Sequence, residues 1–248
     1  MDAVGVIPAF LHPDWPAPAN VRAAVTLRSG GVSSGPYASL NPGDHVGDEP
    51  AHVAENRRRL RAALALPAEP QWLQQVHGAQ VAHLPGAAHH ADDAAWTQQA
   101  GVVCAILSAD CLPVLLCDRA GTVVAAAHAG WRGLAAGVLE QAVSALPVAP
   151  ADLLAWLGPA IGPAAFEVGA EVRQAFVQAQ AQAARHFRAV AGGKHLADLF
   201  GLARQQLQRA GVKNISGGGW CTYSEASRFF SHRREAPCGR MASLIWLT

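Results

Sequence analysis

Apolar residues are distributed along the chain with two different periods. Predominantly apolar runs at residues 21–27, 103–107, 112–117, 122–127 and 242–247 are short, the pattern of buried strands. "LLAWLG" is a further short strand, "WLQQVHGAQVAHL" reads as strand, turn at His77-Gly78 and strand, and residues 220–222 are another strand candidate. Helical spacing takes over elsewhere. Asp48 is placed to cap a helix with Pro50 in its first turn and Val53, Leu60 and Leu64 near one face, ending before Pro67. Leu134, Val138, Ala142 and Leu146 predict a second helix, stopped by Pro147. Two more span about 168–187 and 196–210, with Gly211 at a C-cap position. The Gly-, Ser- and Pro-rich segment 29–43 is long for an idle connection, whereas "AHHADDAAW" reads as a surface loop.

Strands and helices alternate irregularly, without internal repeats, which predicts a mixed α/β or α+β fold in one domain spanning residues 1–248. With 51% hydrophobic and 15% charged residues, the 248-residue chain can bury a sizeable core. Its 19 basic and 18 acidic side chains leave a net charge of +1, which argues against nucleic acid or a membrane surface as a partner held by bulk electrostatics. No apolar run approaches the roughly 20 residues of a membrane span. The start "MDAVGVIPAFLHPDW" lacks the basic and apolar regions of a signal peptide. Five cysteines without a C-x-x-C pair complete the expectation of a reduced, soluble, cytoplasmic protein.

Three side chains able to bind soft metals stand where strands give way to glycine or proline: His77 in "QQVHG", Cys111 in "SADCLP" and His128 in "AAAHAGWRG". They are too far apart in sequence for a zinc finger, whose ligands come in close pairs, and suit a site assembled from three loops. Three protein ligands would leave a tetrahedral metal one open position. The same atoms allow another chemistry, with Cys111 as nucleophile, His128 as its base and Asp110 or His77 as the orienting group. Both readings need a deprotonated sulfur beside imidazole. Cys104 and Cys117, inside apolar runs, read as core residues. Of the arginines, Arg28 and Arg132 lie in glycine-containing loops and are candidates for binding an anion, while Arg233 and Arg234 read as a solvated or ion-paired face. "SGGGW" lacks the Lys-Ser/Thr of a phosphate loop and reads as a turn.

Taken in order, "RSGGVSSGPYASLN", "VGDEPAHVAENRRRL", "QQVHG", "SADCLPVLL", "AAAHAGWRG", "LGPAIGPAAFEVG" and "FFSHRRE" with "GR" resemble the YfiH family. That family is also described as laccase-like multicopper polyphenol oxidases and as peptidoglycan editing factors. The resemblance implies a layered α+β fold of two mixed β-sheets with outer helices. It implies a zinc site made by His77, Cys111 and His128, and phosphorolysis of adenosine, inosine, guanosine and S-methyl-5'-thioadenosine together with deamination of adenosine. The laccase description implies copper and phenol oxidation instead, but laccase chemistry needs several coppers and many histidine ligands, and thiolate with imidazole suits zinc. The zinc deaminases known for such chemistry carry an H-x-E and P-C-x-x-C signature that is absent here, so the proton shuttle is unassigned.

The implied partners are a nucleoside and phosphate. Arg28 and Arg132 are candidates for the phosphate, and Asn41 for a substrate contact or a turn. Two other activities stay open, hydrolysis of a wrongly loaded UDP-muramoyl-serine precursor and metal binding without catalysis. The expected state is a monomer or small homo-oligomer. Two positions depart from the usual pattern. "DDAAWT" has Ala95-Trp96 where an aliphatic pair is usual, which would place Trp96 to reshape a pocket wall, and Cys238 replaces the usual threonine.

Overall fold

The computed structural model describes residues 8–86 and 91–248, so the start of the chain and part of "AHHADDAAW" lie outside the described residues. Its elements run β1 (Phe10–Leu11), β2 (Val21–Thr26), α1 (Pro50–Ala63), β3 (Gln71–Trp72), β4 (Val81–His83), β5 (Ala94–Thr97), β6 (Val103–Ser108), β7 (Leu112–Asp118) and β8 (Val124–Ala129). There follow α2 (Trp131–Ala135), α3 (Val138–Ala145), β9 (Leu153–Leu157), β10 (Glu167–Val168), α4 (Ala170–Ala179), β11 (Phe187–Ala189), β12 (His195–Ala197), α5 (Leu199–Arg209), β13 (Asn214–Gly217), α6 (His232–Glu235) and β14 (Met241–Leu247). No helix among the described residues is long and apolar enough to cross a membrane.

Two mixed sheets form the centre, one in the order β1-β2-β14-β6-β3 and one in the order β13-β9-β7-β8-β5-β4. Strands β6, β7, β8 and β14 are buried along their whole length, which explains why they read as continuous apolar runs rather than alternating ones. Their side chains still divide by parity. Leu115, Cys117, Val124 and Ala126 meet Cys104, Ile106 and Ile245 between the sheets. Val114, Leu116, Ala125 and Ala127 face outward onto Leu139 of α3, Phe176 of α4 and Leu202 of α5. On the far side, Leu60 of α1 packs on Val103, Ala105, Leu244 and Trp246. The result is helix, sheet, sheet, helix, the layered α+β arrangement implied by the resemblance.

Several local expectations differ. A third, antiparallel sheet in the order β10-β12-β11 stands beside the two large ones. Its strands are two or three residues long, too short to interrupt a helical pattern, so the helices over 168–187 and 196–210 were read through them. The helix after His128 is two pieces, because Gly137 sits at φ 86°, a left-handed conformation that no α-helix contains. Residues 220–222 form only an isolated bridge between Cys221 and Ala160. Ala94, Ala95 and Trp96, expected in a surface loop, belong instead to strand β5, three of whose four residues are buried. Asp48 does not cap α1; Glu49 holds that position, and the Asp48 carboxylate accepts from Ser33 Oγ and Asn41 Nδ2 instead.

The long loop over 29–43 is fastened to α1 by one fully buried side chain. Asn56 Nδ2 donates to Ser33 Oγ (2.8 Å), Ser39 O (3.2 Å) and Asn41 O (3.0 Å), and its Oδ1 accepts from Val32 N–H (2.9 Å). Asn56→Ala strands these partners away from water and should cost roughly 3 kcal/mol, read as a lower midpoint in urea unfolding.

Candidate metal centre

His77 and Cys111 occupy the two segments in which the chain passes from the five-stranded to the six-stranded sheet. His77 lies between β3 and β4, and Cys111 lies in the bend between β6 and β7. Both bends use a left-handed residue without being glycine, His77 at φ 61° and Asp110 at φ 91°. Such conformations persist only where neighbours enforce them and recur at functional sites. His128 is the penultimate residue of β8 and is buried; Cys111 is half-buried and His77 exposed. The potential ligand atoms of the three lie within 4.8 Å of one another, the one such group among the described residues. His77 Nε2 is 3.8 Å from Cys111 Sγ, and the two imidazoles meet edge to face with centroids 4.8 Å apart. Gly130 makes the approach possible, since a Cβ there would stand 2.8 Å from the Cys111 sulfur.

Sequence reasoning overlooked the residue that organises the group. Asp93, fully buried, accepts hydrogen bonds from the backbone N–H groups of Val76 (3.1 Å), His77 (3.0 Å) and Gly78 (2.6 Å). Its Oδ1 also lies 2.8 Å from His128 Nδ1, and its carbonyl accepts from His128 N–H. Burial raises its pKa, but the bonds from His128 and Gly78 outweigh this and hold the carboxyl below its ordinary value. Asp93 therefore accepts the hydrogen bond from Nδ1–H and turns Nε2 of His128 toward the group as a potential ligand, the carboxylate–histidine pairing typical of metal sites. The available signal was the acid at the head of "DDAAWT", directly before a strand.

The other predicted residues separate. Asp110 lines the same cavity, but its carboxylate is engaged by Thr222 Oγ1 (2.6 Å), Ser231 Oγ (3.1 Å) and Arg233 N–H (2.7 Å). Arg132 lines the cavity and lies over the Trp131 ring. Arg28 is not on the cavity wall; its guanidinium bonds Ala38 O, Ala226 O and Glu235. Asn41 is likewise outside, fully buried, bonding Gly43, Asp48 and the Arg240 backbone. Arg234 is ion-paired with Glu235, as expected, and also holds the carbonyls of Thr222, Tyr223 and Phe229. Trp96 stacks on His83 at 4.0 Å and does not line the cavity. That cavity, about 450 Å³, is open to the three candidate ligands and also lined by Trp131, Phe166 and Arg240.

A layered α+β protein with one His/Cys/His centre at the crossings between its sheets is thus defined. Residues 22–248 match the family described as multi-copper polyphenol oxidoreductase laccase. Over 240 residues the chain is 57% identical to a purine nucleoside phosphorylase of Pseudomonas aeruginosa, covering 96% of this chain and 98% of that one. It is 56% identical to purine nucleoside phosphorylase YfiH of Escherichia coli, with the same coverage. Among solved structures, a Neisseria meningitidis protein of the DUF152 family superposes with a TM-score of 0.92 at 51% identity, covering 96% of this chain and 98% of its own. YlmD from Geobacillus stearothermophilus does so with a TM-score of 0.90 at 35% identity, covering 100% of this chain and 97% of its own. The chain belongs to the YfiH family of laccase-like proteins.

Burial raises the Cys111 pKa, but the charges and hydrogen bonds of His128 and His77 bring it well below the ordinary thiol value. Burial drives the Cys104 and Cys117 thiols up to about 12. In chelator-treated protein at pH 7, iodoacetamide should alkylate Cys111 and leave Cys104 and Cys117 unmodified by peptide mass spectrometry. Because the thiolate forms above a lowered pKa, the rate should hold constant down through pH 7 and fall only in more acid buffer.

Proposed function

We propose that this chain is a zinc-dependent purine nucleoside phosphorylase that cleaves adenosine, inosine, guanosine and S-methyl-5'-thioadenosine, and also deaminates adenosine. The carrying observation is that His77, Cys111 and His128, oriented by Asp93, open onto a cavity of nucleoside size with flat apolar surface from Trp131 and Phe166. The names of the Pseudomonas and Escherichia relatives support the same substrate class.

The donor set fits zinc: one thiolate and two imidazoles, their free atoms converging, with no fourth protein ligand in reach among the described residues. Bound there, zinc would supply Lewis-acid polarisation at a position left open to substrate or water. The residues do the rest. Cys111 is held ionised by its two histidines, His128 is fixed in one tautomer by Asp93, and Asp110 keeps the Cys111 bend in place through the backbone of Arg233. Trp131, with Arg132 over its ring at the cavity's edge, offers the purine a stacking face.

Two histidines and a cysteine also ligate copper in electron-transfer sites, where a distant thioether completes the set. The sulfur of Met241 is elsewhere, accepting from Phe230 N–H in the core between the sheets. Multi-copper chemistry needs several ions, and the described residues offer one group able to hold one. The five cysteines are all free, consistent with a reduced, cytoplasmic setting.

Purified protein should contain about one zinc per chain by elemental analysis and convert inosine with phosphate to hypoxanthine by chromatography. Cys111→Ala should remove both metal and turnover. Phosphorolysis by protein verified to be metal-free, or a blue, phenol-oxidising copper form, would overturn the proposal. Asp93→Asn should retain the fold and weaken zinc binding about 10- to 100-fold in a chelator competition.

A further inference from the structure

The wall of the cavity facing the candidate metal centre carries an excess of positive charge that the three ligands do not need. Arg132, Arg233 and Arg240 line it together with the imidazoles of His45 and His232, against one acid, Asp110. The oxygens of Asp110 are engaged by Thr222, Ser231 and the Arg233 backbone, so no arginine side chain among the described residues is ion-paired with it. Three arginines on one wall favour an anion in the space between them.

Two of these arginines are positioned from far away in sequence. The backbone N–H of Arg233 donates to Asp110 Oδ2 (2.7 Å), and that of Arg240 donates to Asn41 Oδ1 (3.0 Å). Both acceptors belong to buried side chains on distant loops. Asn41 is itself fixed by Gly43 and Asp48, and Gly43 lies so close that a Cβ there would stand 2.9 Å from Arg240 Cγ. Each guanidinium has one nitrogen tied down. Arg233 Nη1 donates to Glu167 O, and Arg240 Nη1 donates to the carbonyls of Cys238 and Gly239. No hydrogen bond among the described residues uses their Nη2 atoms. Burial and then the Arg240 charge lower the His45 pKa, so that charge is felt across the cavity. Arg132 differs in that no hydrogen bond among the described residues holds its guanidinium, which lies over the Trp131 ring.

We propose that Arg233 and Arg240 form a phosphate-binding subsite facing the metal centre, with a tetrahedral oxyanion between their free guanidinium edges. Guanidinium pairs bind such groups through charge-assisted, bidentate hydrogen bonds. This deepens the nucleoside phosphorylase reading by naming where the attacking phosphate sits. The same chemistry would accept the phosphoryl group of a nucleoside 5'-monophosphate.

The test uses direct binding, so that it does not depend on turnover. In the zinc-loaded wild-type protein, phenylglyoxal labelling read by peptide mass spectrometry should modify Arg233, Arg240 and the exposed Arg61, and inorganic phosphate should protect the first two but not Arg61. This needs no variant and so no refolding control. In calorimetry, Arg233→Gln and Arg240→Gln should each weaken phosphate binding by about tenfold or more, with inosine binding, zinc content and Tm little changed. Inosine 5'-monophosphate displacing phosphate would assign the subsite to nucleotides as well. Equal protection of Arg61, phosphate binding unchanged in both variants, or no phosphate binding by the wild type would overturn the proposal. Phosphate binding that follows the two arginines in a protein unable to cleave nucleosides would uphold the subsite while defeating the nucleoside reading.

Discussion

One buried carboxylate joins the parts of the centre that the chain brings from separate places. Asp93 enters strand β5 beside β8, where His128 sits, and it also receives three consecutive backbone N–H groups of the crossing that carries His77. Without it, three successive N–H groups of that bend would lose their common acceptor and His128 would be free to turn. A carboxylate accepting so many bonds stays ionised at a depth where an isolated charge would be costly, because its partners replace the lost water. The five- and six-stranded sheets, their interface and the candidate ligands therefore meet around a single side chain.

Much of this was legible in the chain. The fully apolar runs of β6, β7, β8, β9 and β14 announced a centre of strands buried on both faces, and His77, Cys111 and His128 stood out because each broke such a run or ended one. What stayed hidden depended on partners distant in sequence. Asp93 looked like part of a polar loop because its four hydrogen-bonding partners are 15 to 35 residues away. Arg28 looked like an anion-binding residue because its loop is rich in glycine, yet its guanidinium serves backbone carbonyls and Glu235. The short strands β10, β11 and β12 were invisible because two or three residues carry no period.

The family's laccase description and the names of its close relatives point to different chemistries, and the side chains decide which is easier to build here. One sulfur and two imidazoles can hold one ion, beside a cavity with aromatic and basic walls. That arrangement suits polarising a bound substrate and holding an anion near it. Among the described residues it is the one group able to hold a metal.

The two left-handed bends have a bearing on how such a centre comes to be filled. His77 and Asp110 are kept in their unusual conformations by Asp93 and by Thr222, Ser231 and Arg233, none of which needs an ion in order to hold them. In a zinc finger the metal assembles its own ligands and the chain is unfolded without it. Here the geometry of the nest is inherited from the fold. An incoming ion would find the ligands already waiting, spend little of its affinity on ordering the chain, and could leave again without taking the architecture with it.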